Sequence, residues 1–215
     1  MTISSALRIL VMSIAALASA SCANGVGATP SRSVAPIDLA ALPQESLTVQ
    51  SMIPATAVEF PVTSPDLANG KSFPISEMAG PSNHCSGAGA DQVPRIRWGS
   101  PPVRTKSLAV TMFDPDAASG SGLWHWIVWN IPPTATSVGD RLPPAAVVGI
   151  NDMNIHGYVG PCPPPGDAAH HYRISVLALD TSELAMPDDA RPVQVGLMMH
   201  AHIVGFGQLT ATAQR

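Results

Sequence analysis

No run of lysine or arginine occurs anywhere in this chain. Its 11 basic residues are scattered among 15 acidic ones, for a formal net charge of −4. That balance excludes the basic surface by which a protein tracks a phosphate backbone, so no nucleic-acid partner is expected. Charged side chains are scarce, at 12%, whereas 46% of the residues are apolar, too many for a disordered chain. Internal repeats and low-complexity tracts are missing. So is a Gly-x-Ser-x-Gly nucleophile elbow, and with it the signature of a serine hydrolase. Seven histidines are present, but their spacing gives no metal site. His170 and His171 leave a strand on opposite faces, and His200 and His202 can share a face without a well-spaced third ligand. Neither a metal nor a cofactor is expected.

What the chain has in quantity is turn-forming residues. Its 22 prolines and 17 glycines fit a mainly β domain better than a helical bundle. The 215 residues are enough for one domain with a sizeable core. The first 21 residues read as an export signal: Arg8 is their only charge, an apolar run from Ile9 to Leu17 is too short to span a membrane, and small residues follow. Cys22 comes next, as in a bacterial lipobox, although Ser19 stands where a lipobox has Leu, Val or Ile. The expected organisation is a signal peptide over 1–21, a flexible Ala/Ser/Pro/Gly-rich tether over 22–50, and one domain over 51–215. Lipidation of Cys22 would leave Cys85 and Cys162 in an oxidising compartment. Their spacing alone leaves a bridge and two buried thiols equally open.

Strands are expected at residues 107–113, 125–131 and 172–179. All three are almost continuously apolar, as in central strands covered on both faces. Residues 58–63 read as an edge strand because Pro61 removes a ladder donor. Residues 95–98 read as a short strand, 81–91 as a loop, 190–199 as an amphipathic helix, and 202–209 as a last strand weakened by Gly205 and Gly207.

The chemistry-bearing residues gather at two turns. Asp114 and Asp116 bracket Pro115, whose ring holds a tight turn. In one reading an Asp bonds its own turn backbone. In the other, Asp114 points from the end of a buried strand into a cleft, where it orients an imidazole or receives an ammonium group. His125 lies between Trp124 and Trp126, either as a satisfied core histidine or as a ligand contact held near Asp114. Downstream, Cys162, Pro163, Pro164, Pro165 and Gly166 form a stiff loop. His170 and Tyr172 then share one strand face, while His171 faces solvent. Carboxylate, imidazole and phenol around rigid turns describe a small polar pocket for an anion or phosphoryl group.

Asp114-Pro115-Asp116-Ala117, His125-Trp126, and Gly160-Pro161-Cys162-Pro163-Pro164 followed by His170 and Tyr172 resemble the phosphatidylethanolamine-binding protein family in order and spacing. The bacterial Raf kinase inhibitor-like branch is the most similar. The similarity runs from about Val58 to Leu209. It implies a large central sheet, a smaller packed sheet, a few peripheral short helices, and an anion pocket at one end of the central sheet. By position, Asp114, His125, His170 and Tyr172 match the pocket residues, and Cys162, Pro163 and Pro164 match its rim. The resemblance also implies a Cys85–Cys162 disulfide. The chain departs from the family pattern at Ala118, where proline is usual, at residues 90–98, where a Ser-Pro is lost, and at residues 210–212, where Gly-Thr-Tyr is absent. These changes touch the pocket edges and ligand preference.

The reading that follows is a binding protein of the cell envelope, anchored to the outer face of the membrane by lipidated Cys22. Its pocket would take a phosphoryl, carboxylate or phospholipid head group, with His125 and Tyr172 donating hydrogen bonds and Asp114 fixing the imidazole. Few contacts make such binding weak, and membrane proximity would compensate by effective concentration. The alternatives are an extracytoplasmic protein-interaction or inhibitor module with an unknown protein partner, and a small-molecule hydrolase using His125 as general base. The latter needs a positioned water. No catalytic residue is assigned.

Overall fold

A computed structural model of the chain describes residues 52–215. The expected signal, tether and Cys22 lie outside the described residues. In chain order the strands are β1 (Val58–Glu59), β2 (Val62–Thr63), β3 (Ile96–Trp98), β4 (Ser107–Asp114), β5 (Leu123–Ile131), β6 (Ser137–Val138), β7 (Val147–Val148), β8 (His170–Leu179) and β9 (Ile203–Ala213). One α-helix, α1 (Pro192–His200), precedes β9, and two 3-10 turns lie at Ile75–Glu77 and Pro81–Asn83. A six-stranded sheet has the order β1-β9-β8-β4-β5-β7, and β2, β3 and β6 form a three-stranded sheet. All pairings are antiparallel except β1 with β9.

The apolar runs produce this layering. Side chains alternate across a strand, so Val110, Val128 and Val176 face one core while Ala109, Ile127 and Leu177 face another. The first core is closed by Ile96, Trp98 and Val138 of the small sheet. Val195 and Met199 of α1 close the second. The central strands are thus covered on both faces, as their composition required.

Three expectations change. Residues 58–63 form two short strands instead of one: β1 joins the large sheet and β2 the small one, with Pro61 at the crossing. The last strand runs on to Ala213, past the expected end at 209, and Gly205 and Gly207 admit close neighbours within it instead of weakening it. A Cβ at Gly207 would lie 2.3 Å from the Phe60 carbonyl oxygen, and one at Gly205 would lie 2.6 Å from Pro102. Helix α1 is not amphipathic in the ordinary sense, since Val193, Leu197 and Met198 are exposed on it.

Two register steps interrupt the pairing of β4 with β5, and the second lies at the site. Asn130, with φ of 56°, lies where the register steps from Leu108↔Ile131 to Val110↔Val128. Asparagine tolerates that left-handed backbone. The second step, from Met112↔Trp126 to Phe113↔Trp124, leaves His125 without a Cα partner on β4. A bulge bends the strand and re-aims the extra side chain.

Candidate functional site

A cavity of about 340 Å³ opens where β4 ends and β8 begins. Asp114, His125, Cys162, Pro163, Pro164, His170 and Tyr172 all line it, together with Ala79, Asn83, Met153, Val159, Gly160, Leu123 and residues 117–119. No lysine or arginine lines it among the described residues.

Asp114 serves both of its expected roles at once. Its Oδ1 accepts the Asp116 N–H at 2.9 Å, fixing the turn. Its Oδ2 lies 2.8 Å from Nδ1 of His170, and both side chains are buried. The imidazole held by Asp114 is therefore His170 and not His125. Asp116 repeats the arrangement on the outer side. Its Oδ2 accepts the backbone N–H of His171 at 2.7 Å and faces the His171 ring nitrogen at 2.8 Å. His171 is exposed, as expected, but it has a partner. The Asp-Pro-Asp turn thus grips both histidines of β8.

His125 is held by backbone. Its Nδ1 lies 2.9 Å from the Val159 carbonyl. A carbonyl only accepts, so Nδ1 carries the proton. Burial pushes the imidazolium down below the ordinary histidine range, against the partial support of the Val159 carbonyl and Asp114. Neutral and protonated at Nδ1, His125 presents a lone pair at Nε2, and that atom is buried without a protein partner. The expected donor is thus an acceptor in the resting pocket. The physical reason is that Nδ1–H is committed to the Val159 carbonyl, which leaves only the lone pair of Nε2. Tyr172 packs edge-on against His125, with ring centroids 5.2 Å apart, and is stacked on His170 at 6.4 Å. Burial first, then the neighbouring Asp114, pushes its phenol far above the ordinary range, so it remains a neutral O–H.

The rim is stitched from several loops. Asp91 accepts the N–H of Gly80 through Oδ2 and the N–H of Gly160 through Oδ1, each at 2.9 Å. Cys85 and Cys162 are joined by a disulfide in the structure, and the Arg215 guanidinium lies against both sulfurs and donates to Ser86 Oγ at 2.7 Å. Asn151, fully buried, accepts the N–H groups of Met153 and Ile155 and donates to the Gly157 carbonyl at 3.2 Å. Sequence reasoning missed Asp91, Asn151 and Val159. The two polar residues gave a faint signal as Asx residues in glycine-rich loops. Val159 gave none, since it acts through its carbonyl. Among the described residues no cluster of three or more His, Cys, Asp or Glu side chains is placed to hold a metal ion.

A large mixed sheet, a smaller sheet packed on it and a cavity with a few polar groups at the end of the central strands define a two-sheet β domain with an end-on cavity. The chain belongs to the phosphatidylethanolamine-binding protein family, whose model matches residues 63–214. It is 38% identical over 164 residues to YbcL of Escherichia coli, covering 73% of this chain and 88% of that protein. The crystal structure of YbcL, described as a member of the mammalian family, superposes with a TM-score of 0.68 at 37% identity, covering 74% of this chain and 99% of that one. The chain is also 34% identical over 170 residues to a Mycobacterium tuberculosis protein named "Putative lipoprotein LppC", covering 78% of this chain and 79% of that one.

Proposed function

We propose that this protein is a cell-envelope binding protein whose pocket takes a small oxyanion group: a phosphoryl, a carboxylate or the head group of a phospholipid. The observation that carries the reading is the convergence of all seven residues on one cavity. Lining it are His125, whose buried Nε2 has no protein partner, and Tyr172, a neutral hydroxyl hydrogen-bonded to Asp114. A ligand-sized cavity with a few convergent polar groups is the usual form of a small-molecule site. Asp114 is engaged by its own turn and by His170, so it is not a free base.

Export and anchoring rest on the leader, on Cys22 and on the lipoprotein name of the mycobacterial relative. Native mass spectrometry of protein taken from envelope extracts tests the ligand. A small phosphorylated or lipid mass retained by the wild type and lost from a His125→Ala/Tyr172→Phe double variant supports the reading. An empty pocket in both, unchanged by added head groups, refutes it. Metabolic labelling with palmitate, compared with a Cys22→Ser variant, tests the anchor.

A further inference from the structure

A bound oxyanion meets an unusual set of partners in this pocket. Nε2 of His125 offers a lone pair, because Nδ1–H is committed to the Val159 carbonyl. No lysine or arginine among the described residues lines the cavity to neutralise a charge, and Asp114 already forms part of its wall. A deprotonated oxygen and a bare imidazole nitrogen are both acceptors, so they cannot bond without a hydrogen between them. We propose that the pocket binds its oxyanion together with one proton, held between His125 Nε2 and a ligand oxygen. The proton arrives on the ligand when the ligand is a protonated acid, or is taken from solvent when it is a diester head group. Only the diester draws that proton from solvent, because hydrogen phosphate already carries one. This inference rests on the binding function proposed above and adds that the ligand is recognised in a protonated complex.

The groups facing His125 allow the assignment. Asp114 approaches from β4, and Tyr172 and His170 from β8. Asp152 and the carbonyls of Val159 and Gly160 come from the segment beyond β7. The carboxylates and carbonyls all favour a positive imidazole, and none of them supplies a proton to Nε2. Burial keeps the resting ring neutral, so the proton is absent before the ligand enters. His170 is the competing holder: its Nδ1 faces Asp114 at 2.8 Å and its Nε2 faces Asp167 at 3.8 Å. Its ring is already flanked by carboxylates on both sides, so a ligand oxyanion adds least there.

The test is calorimetry on the full-length chain in detergent, with inorganic phosphate and with glycerophosphoethanolamine, in buffer pairs of different ionisation heat. Expected for the diester is uptake of about one proton per ligand near pH 8, with affinity falling about tenfold per pH unit above neutrality, and for hydrogen phosphate binding with little net uptake. His125→Gln places a permanent amide donor near the position of Nε2, so its binding should become independent of pH. If that variant does not fold, the wild-type uptake alone decides. Tighter binding of the diester than of phosphate makes a lipid head group the source of the oxyanion, and the reverse makes it free phosphate. Binding of the diester without proton uptake overturns the inference and leaves the binding function standing. So does uptake that survives His125→Gln but is lost in His170→Gln. No binding of either probe at any pH overturns both.

Discussion

Asp114 Oδ2 and His170 Nδ1 lie 2.8 Å apart, and both side chains are almost fully buried. The other oxygen of the same carboxylate closes the Asp-Pro-Asp turn. One side chain therefore ties the end of β4 to the start of β8 and sets which ring nitrogen His170 turns toward the pocket.

Replacing Asp114 with alanine leaves the Asp116 N–H and the His170 ring unpaired in a buried site. Unfolding in denaturant should show a loss of about 2–4 kcal/mol. Asp114→Asn keeps an oxygen for the turn and should cost less than half as much. Its amide reverses the hydrogen bond to His170, so it should still impair ligand binding.

His125 gives a pH dependence whose sign is fixed. Its folded-state pKa is depressed by burial, whereas an unfolded histidine titrates near ~6.5. Below that value the unfolded chain binds the proton first. Its contribution is therefore fully present above ~6.5 and is lost as pH falls through the folded value. Urea unfolding across this window should show stability falling with acid, and His125→Gln should remove that part of the slope. Nitrogen NMR should place the proton of the resting ring on Nδ1.

The layering was legible because three apolar runs require cover on both faces, and the seven pocket residues were legible because turn chemistry and the family resemblance coincide on them. The orientation inside the pocket was not. Whether Asp114 reaches His125 or His170 is decided by tertiary packing across β4 and β8, and the bulge at His125 is a one-residue register choice of the same kind. Val159 acts through a carbonyl that every residue possesses. Gly205 and Gly207 read as strand breakers until their neighbours Pro102 and Phe60 are seen.

Glu77 is buried beside the rim, with one carboxyl oxygen unpartnered. Burial, and secondarily Asp66, pushes its pKa up to about 7. A raised carboxyl stabilises the fold at pH values below its unfolded pKa. That contribution is lost as pH rises through the folded value. Thermal unfolding should therefore weaken from about pH 5 to about pH 8 by roughly 1–3 kcal/mol through this group. Glu77→Gln should flatten the fall, and an unchanged slope would refute the assignment.

The Cys85–Cys162 bridge spans a sequence separation of 77 residues, and Cys162 lines the cavity. Reduction should lower stability by about 2–4 kcal/mol, chiefly by freeing the unfolded chain. It should also loosen one pocket wall. Melting with and without reductant measures the first effect, and the affinity for inorganic phosphate under the same two conditions measures the second.

Gly160 and Gly166 separate two reasons for glycine in one loop. A Cβ at Gly160 would lie 2.3 Å from the Glu77 carbonyl oxygen and 2.4 Å from the Ala79 nitrogen. Both are backbone atoms, so the two loop segments of the rim must part. Gly160→Ala should cost roughly 3 kcal/mol or more by overpacking. It should also break the Gly160–Asp91 hydrogen bond that holds the wall. Gly166 has open space around it but a φ of 90°, so Gly166→Ala should cost only about 1–2 kcal/mol of backbone strain. Denaturant unfolding ranks the two, and ligand affinity sharpens the contrast. The crowded position shapes the cavity wall and should weaken binding, whereas the strained one lies beyond the lining and should leave it unchanged. Equal losses of affinity at both positions would mean that the rim moves as one body.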